Sequence, residues 1–238
     1  MKYFLATLIF LLGLPTLQAQ EESNLKITHL KGDFYVFTTY QKIRNVKFPS
    51  NGLYMVSKKG VLLIDTPWDT TQFEPLLKAI ELKHKQKVVM CVATHFHEDR
   101  TGGFDFFRRQ GIKTFSSFRT DSLAQAKGYK RAIFTFAKDT TFQVGKTIFQ
   151  TYFAGEGHTL DNIVIWFPKQ KILYGGCLVK STKAQDLGFT GDAHIKAWRT
   201  TIENLLRKYP KTTAVITGHQ KWDKREALLH TLRLLENK

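Results

Sequence analysis

Hydrophobic and polar residues alternate with a period of two from Leu25 to Thr38 and again from Gly52 to Asp65, where Ser57-Lys58-Lys59-Gly60 supplies a turn. That period places alternate side chains on opposite faces of a sheet, so both stretches predict strands, the second a hairpin. Phe73 to Lys83 changes to a helical spacing, with Pro75 in the first turn where a missing amide is tolerated. An apolar run, Lys87 to Thr94, then predicts a buried strand. The order recurs downstream: strands over Thr147 to Phe153, Ile163 to Phe167 and Ile172 to Tyr174, a helix over Ile195 to Lys208, a strand over Ala214 to Thr217, and a helix from about Lys224 to Leu235. Two β-rich halves, each followed by helices and joined without a low-complexity linker, predict two packed mixed sheets flanked by helices, an αβ/βα four-layer sandwich of the α+β class. Between the first strands, Tyr40 to Phe48 is basic with apolar interruptions and reads as a mobile flap.

The N-terminus departs from this pattern. Lys2 precedes an apolar stretch from Phe4 to Leu14, broken at Pro15 and closed by Leu17-Gln18-Ala19. The stretch is short of the ~20 apolar residues that span a bilayer and has the layout of a signal peptide. The expectation is cleavage after Ala19, leaving residues 20–238 as one exported, periplasmic domain without a membrane anchor. The 238 residues are 42% hydrophobic and 13% aromatic, which supplies a core and excludes a disordered chain. A formal charge of +16 raises the question of a nucleic-acid partner. The basic residues are dispersed among acidic and apolar ones, as in Ile80-Glu81-Leu82-Lys83-His84-Lys85, with no arginine-rich arm, so they read as a solvated surface. A disulfide between the two cysteines, Cys91 and Cys177, is disfavoured, because one sits in a buried strand and the other follows Gly175-Gly176.

The densest chemical signal is Thr94-His95-Phe96-His97-Glu98-Asp99-Arg100-Thr101-Gly102-Gly103. His95, His97 and Asp99 share one parity, so an extended or turning segment can aim all three at one ion, and the glycines then admit a close approach and start a helix. His158 after Gly157, Cys177 after Gly176 and His219 after Gly218 each read as the end of a strand beside glycine. Alone, each would be an ordinary structural residue; together they give six donors, enough for two metal sites. His29, His84, His194 and His230 have no such setting.

These motifs, His95-x-His97-x-Asp99, Gly157-His158-Thr159-x-Asp161-Asn162, Gly175-Gly176-Cys177-Leu178-Val179-Lys180 and Gly218-His219, resemble in order those of the metallo-β-lactamase superfamily, and Cys177 matches its subclass B1. The resemblance spans the mature chain. It implies two zinc ions per chain, one held by His95, His97 and His158 and one by Asp99, Cys177 and His219. It also implies a zinc-bound hydroxide that opens the amide of a small-molecule β-lactam (penicillins, cephalosporins and carbapenems) and so confers antibiotic resistance, with Asp99 as a catalytic residue orienting the nucleophile. Lys180 would bind the substrate carboxylate, Asp65 and Arg100 would support the second zinc, and the flap with Trp68 would close over apolar parts of the substrate. Phe189, in Asp186-Leu187-Gly188-Phe189, stands where relatives often have an Asn that contacts the carbonyl, and it cannot donate that hydrogen bond. The segment Gln220-Lys221-Trp222-Asp223-Lys224 lacks the relatives' glycine-rich turn. Thioester, lactone or phosphoester hydrolases of the same fold typically carry a His after the motif Asp and a bridging Asp in place of Cys177; Arg100 and Cys177 contradict both. A non-catalytic zinc or nucleic-acid binder is disfavoured because a three-histidine site leaves a fourth position open. A monomer is the default expectation.

Overall fold

A computed structural model describes residues 24–137, 139–222 and 225–236. The stretch expected to be a signal peptide, and the pair Asp223-Lys224, lie outside the described residues.

The first sheet contains β1 (Leu25–Lys31), β2 (Phe34–Ile43), β3 (Val46–Ser57), β4 (Gly60–Ile64), β5 (Val88–Val92), β6 (Lys113–Ser117) and β7 (Phe134–Phe136) in that spatial order. The pairings from β1 to β4 are antiparallel and those from β4 to β7 are parallel. The second sheet has β8 (Thr141–Val144), β9 (Thr147–Tyr152), β10 (Val164–Phe167), β11 (Ile172–Gly176) and β12 (Ala214–Thr217). It is antiparallel except for the β11–β12 pair.

Period-two alternation allocates the strand side chains to three cores. Phe34, Val36, Leu53, Met55, Leu62, Ile64, Met90 and Val92 meet Phe149, Ile165, Phe167, Ile172, Tyr174 and Ile216 between the sheets. The opposite parity of the first sheet, including Phe37, Tyr54, Leu63 and Cys91, packs on α1 (Phe73–His84) and α3 (Phe104–Arg109). That of the second, including Val164, Trp166, Leu173 and Val215, packs on α5 (Ile195–Lys208) and α6 (Glu226–Glu236). Along α5 the buried residues are Trp198, Thr201, Ile202 and Leu205, the i, i+3, i+4, i+7 stripe of an amphipathic helix. The result is the four-layer sandwich that the sequence pattern predicts. Cys91 lies in the outer core of the first sheet and both cysteines are free thiols.

Several local expectations are corrected. The flap is a regular β-hairpin, with Ile43 paired to Val46 and the turn at Arg44-Asn45 in left-handed conformations (φ 45° and 67°). Its polar and basic tip hid the strand alternation. The segment after β5 turns helical at α2 (Glu98–Thr101), before the glycines, so Asp99 and Arg100 sit on a helical turn rather than continuing the extended parity of His95 and His97. His158 lies in a loop well past β9 rather than at its end. Lys113–Ser117, α4 (Phe118–Lys127), Phe134–Phe136 and Thr141–Val144 are elements that the hydrophobic pattern did not reveal, being short or weakly amphipathic. Among the described residues no helix is long and apolar enough to cross a membrane.

Candidate metal centre

The site forms where the C-terminal ends of the parallel pairs β4–β5 and β11–β12 face each other. The two sheets are stitched together there by Asn51 N donating to Gly218 O (2.8 Å) and Ile163 N donating to Thr94 O (2.9 Å). Past β5 the chain delivers His95 and His97, and the α2 turn adds Asp99. Cys177 follows β11 directly, and His219 comes two residues after β12. The loop carrying His158 is held by Asn162, whose Oδ1 accepts from Thr159 N (3.0 Å) and whose Nδ2 donates to Gly155 O (2.8 Å).

All six candidate ligands converge. The imidazoles of His95, His97 and His158 lie 4.9–5.1 Å apart between ring centroids. His95 Nε2 and His97 Nδ1 face each other at 3.2 Å. Next to them, Cys177 Sγ and Asp99 Oδ2 are each 3.2 Å from His219 Nε2 and 3.6 Å from one another. Asp99 Oδ1 reaches to 4.0 Å from His95 Nε2, so the two groups adjoin.

The chemistry of these donors fits a metal. His97 donates through Nε2 to Asp192 Oδ2 (2.9 Å) and His219 through Nδ1 to Pro49 O (2.9 Å), which turns His97 Nδ1 and His219 Nε2 inward as the nitrogens available to an ion. Burial holds His95 and His158 well below the ordinary histidine range, so both are neutral imidazoles suited to a cation. His158 Nδ1 is buried without a hydrogen-bond partner. Burial opposes a charge on His219, but Cys177 and Asp99 overcome it and raise its pKa to about 9; a proton there does what a metal ion would do, compensating a thiol and a carboxylate at close range. Asp99 is likewise pushed up by burial, and the stronger combined pull of Arg100, His219 and His95 keeps it ionised.

Arg100 is fully buried beneath this second group. Its Nη2 lies 2.8 Å from Asp99 Oδ2 and donates to Cys177 Sγ and Gly218 O at 3.0 Å; its Nη1 donates to Asn51 O (2.8 Å). Asp65 does not touch the ligands. It accepts from Thr94 N (2.7 Å), lies 2.7 Å from the Tyr174 hydroxyl and 3.4 Å from Arg100 Nη1, and so acts through Arg100. Its backbone is left-handed (φ 62°), a conformation uncommon outside glycine, which this buried network holds in place. Gly218 is demanded sterically, since a Cβ there would lie 2.6 Å from Cys177 Sγ and 2.8 Å from Arg100 Nη2.

A cleft of about 660 Å³ opens over the ligands, lined by His158, Cys177, Lys180, Phe189 and His219 and, from the hairpin side, Ile43, Val46, Phe48 and Trp68. Phe48 and Trp68 cover His219, with ring centroids at 5.2 and 5.9 Å. Burial depresses the Lys180 pKa, opposed by Cys177 and Asp99; its Nζ lies 5.2 Å from the centroid of the Trp198 ring.

The family model for the metallo-beta-lactamase superfamily matches residues 46–219, and that stretch carries the six converging donors. The chain belongs to this superfamily. It is 42% identical to "Metallo-beta-lactamase type 2" of Elizabethkingia meningoseptica, over 99% of this chain and 95% of the relative. It is 37% identical to "Metallo-beta-lactamase IND-1" of Chryseobacterium indologenes, over 94% of each. Among solved structures, a metallo-beta-lactamase from Pontibacter korlensis superposes with a TM-score of 0.87 at 41% identity, covering 90% of this chain and all of that one. Within the superfamily this metallo-β-lactamase falls in class B, subclass B1, and is a zinc-dependent hydrolase.

Sequence reasoning missed Asp192, Asn51 and Tyr174. Asp192 orients His97 and is itself bonded by Lys127 Nζ at 3.0 Å. Asn51 O receives Arg100 Nη1, and its Nδ2 donates to Thr217 O (3.0 Å) and Gln220 O (2.8 Å) on the way to His219. Each contact joins residues far apart in the chain, and nothing in their local sequence marks them.

Proposed function

We propose that this protein is an exported, periplasmic β-lactamase that acts as a monomer. Residues 20–238 form its catalytic domain, which holds two zinc ions and hydrolyses the amide of penicillins, cephalosporins and carbapenems. The observation that carries this reading is the convergence of six donors, with ligand atoms within reach of one another in His95/His97/Asp99, His95/His158/Cys177 and Asp99/Cys177/His219, beside a cleft lined by His158, Cys177, His219 and Lys180. Zinc, when bound, supplies a Lewis acid for the carbonyl and a nucleophilic water at neutral pH.

The side chains around the ions have separable tasks. The three imidazoles of the first group would hold one ion and leave room beside it for water, while the thiolate and carboxylate of the second would offset the charge of the other. Asp99 Oδ1, directed toward the first group, accepts a hydrogen bond from the attacking water and orients it. Lys180 receives the carboxylate carried by bicyclic β-lactams; desolvation in the cleft strengthens that ion pair. Arg100 and Asp65 hold Asp99 and Cys177 in place, and the hairpin bearing Ile43, Val46 and Phe48 covers the apolar part of the substrate. Water adds across the C–N bond, oxygen to carbon and a proton to nitrogen, with no acyl-enzyme.

The decisive assay is hydrolysis of a carbapenem by purified mature protein, followed by loss of absorbance, before and after chelation and with zinc restored. Chelator-sensitive ring opening that returns with about two equivalents of zinc is expected. An inert, fully zinc-loaded protein refutes the reading and points to another hydrolase of the same fold.

A further inference from the structure

Phe189 is 65% exposed, yet its ring packs over Gly191 and against His97. It stands edge-on to the candidate ligand His97, with centroids 5.7 Å apart and planes at 68°. The loop is shaped to carry it. Gly188 is left-handed (φ 67°) and its amide donates to Asp186 Oδ1 at 2.8 Å. A Cβ on Gly191 would lie 2.6 Å from Phe189 Cζ, so the ring occupies the space that the missing side chain leaves. Leu187 is buried in the outer core on one side of Phe189, and Asp192 is bonded to His97 and Lys127 on the other.

A single exposed Phe needs no explanation in itself, but an exposed ring held in a shaped seat at the mouth of a cleft is a recognition surface. Phe48, Trp68, Ile43 and Val46 line the same cleft as Phe189, and Lys180 lies beside the Phe189 loop, its Nζ 4.0 Å from where a Gly188 Cβ would be. A substrate whose carboxylate meets Lys180 therefore sets its ring substituents in a cleft lined by Phe48, Trp68 and Phe189.

We propose that Phe189 is a specificity-determining residue that forms, with Phe48 and Trp68, an apolar slot selecting β-lactams with a flat aromatic acyl substituent. The inference rests on the β-lactamase reading and names the substrate class of the same site. An aromatic contact of this kind is worth about two- to tenfold in affinity.

The test compares kcat/KM for a penicillin carrying an arylacetyl amide with that for the same nucleus bearing a free amine, using zinc-loaded wild type, Phe189→Ala and Phe189→Tyr. In Phe189→Ala the arylacetyl preference should fall by about two- to tenfold, chiefly through KM, while Phe189→Tyr should retain it. Hydrolysis of both compounds with the same preference in wild type and Phe189→Ala overturns the inference and leaves the β-lactamase reading standing. If Phe189→Ala does not fold, Phe189→Ser substitutes for it, and an unchanged preference there overturns the inference equally. Failure of the wild type to hydrolyse either compound overturns both.

Discussion

Replacing Arg100 with Met removes the one guanidinium that Asp99, Cys177, Asp65, Asn51 and Gly218 share while keeping an apolar chain of similar length. In the metal-free protein buried Asp65 then loses its cation, Asp99 keeps only His219, and two backbone carbonyls, of Asn51 and Gly218, lose a donor. Breaking one side of a buried ion pair costs about 3–5 kcal/mol. With a urea m-value of about 3 kcal/mol/M, that lowers the unfolding midpoint by roughly 1–2 M. Zinc would neutralise Asp99 and Cys177 but not Asp65, so the deficit should be smaller in zinc-loaded protein. pH adds an independent check. Burial raises the Asp65 carboxyl to about 6, despite Arg100 and the hydrogen bonds from Tyr174 and Thr94. The ordinary aspartate value is near 3.9. Between these values the folded chain holds a proton that the unfolded chain has lost, so this group's contribution to stability grows as pH falls through 6. Without Arg100 the folded value rises further, and the deficit of the variant should shrink from pH 7 to pH 5. Adding Asp65→Asn to Arg100→Met should restore at least ~1 kcal/mol by removing the stranded charge. Urea titrations followed by tryptophan fluorescence, with and without zinc at both pH values, measure all of this. A metal-free deficit below ~1 kcal/mol, or one insensitive to zinc and pH, would refute the assignment of Arg100 as the counterion of the second group. Arg100→Lys, which keeps charge but not the fork, should fall between the two.

Asp192→Asn weakens the orientation of His97, and zinc affinity measured by competition with a chromophoric chelator should drop about 10–100-fold; an unchanged affinity would show that the 2.9 Å contact is incidental. Gly218→Ala drives a methyl into Cys177 Sγ and Arg100, so cobalt-substituted protein should lose much of its thiolate charge-transfer band; full intensity would contradict the steric argument. Tyr54 and Tyr209 are raised well above the usual tyrosine range, by burial first and neighbouring groups second. Above about pH 10 the unfolded chain releases protons that the folded chain keeps, so stability should decline there as pH rises. Phenolate absorbance in native protein showing that every tyrosine titrates near 10 would refute it.

The alternation over Leu25–Lys31 and the short apolar runs over Val88–Val92 and Val164–Phe167 were sufficient to predict strands, and the spacing of Trp198, Thr201, Ile202 and Leu205 sufficed for α5, because burial on one face writes its period into the local sequence and burial on both faces writes a continuous apolar run. The metal motifs were equally legible, since a ligand needs its own side-chain chemistry wherever it sits. Short edge strands such as Phe134–Phe136 have too few residues to establish a period. The helical turn at Glu98–Thr101 escaped because the parity of His95 and His97 suited an extended continuation equally well. What the sequence by itself determined, then, was the layer architecture and six candidate donors that the fold brings together. Which nitrogen each histidine turns inward, the burial of Arg100 under Asp99 and Cys177, and the seat of Phe189 over Gly191 were decided only in three dimensions. Those features depend on contacts between distant parts of the chain, such as Asn51 with Gly218 and His97 with Asp192, and on the low-dielectric interior that packing the two sheets creates.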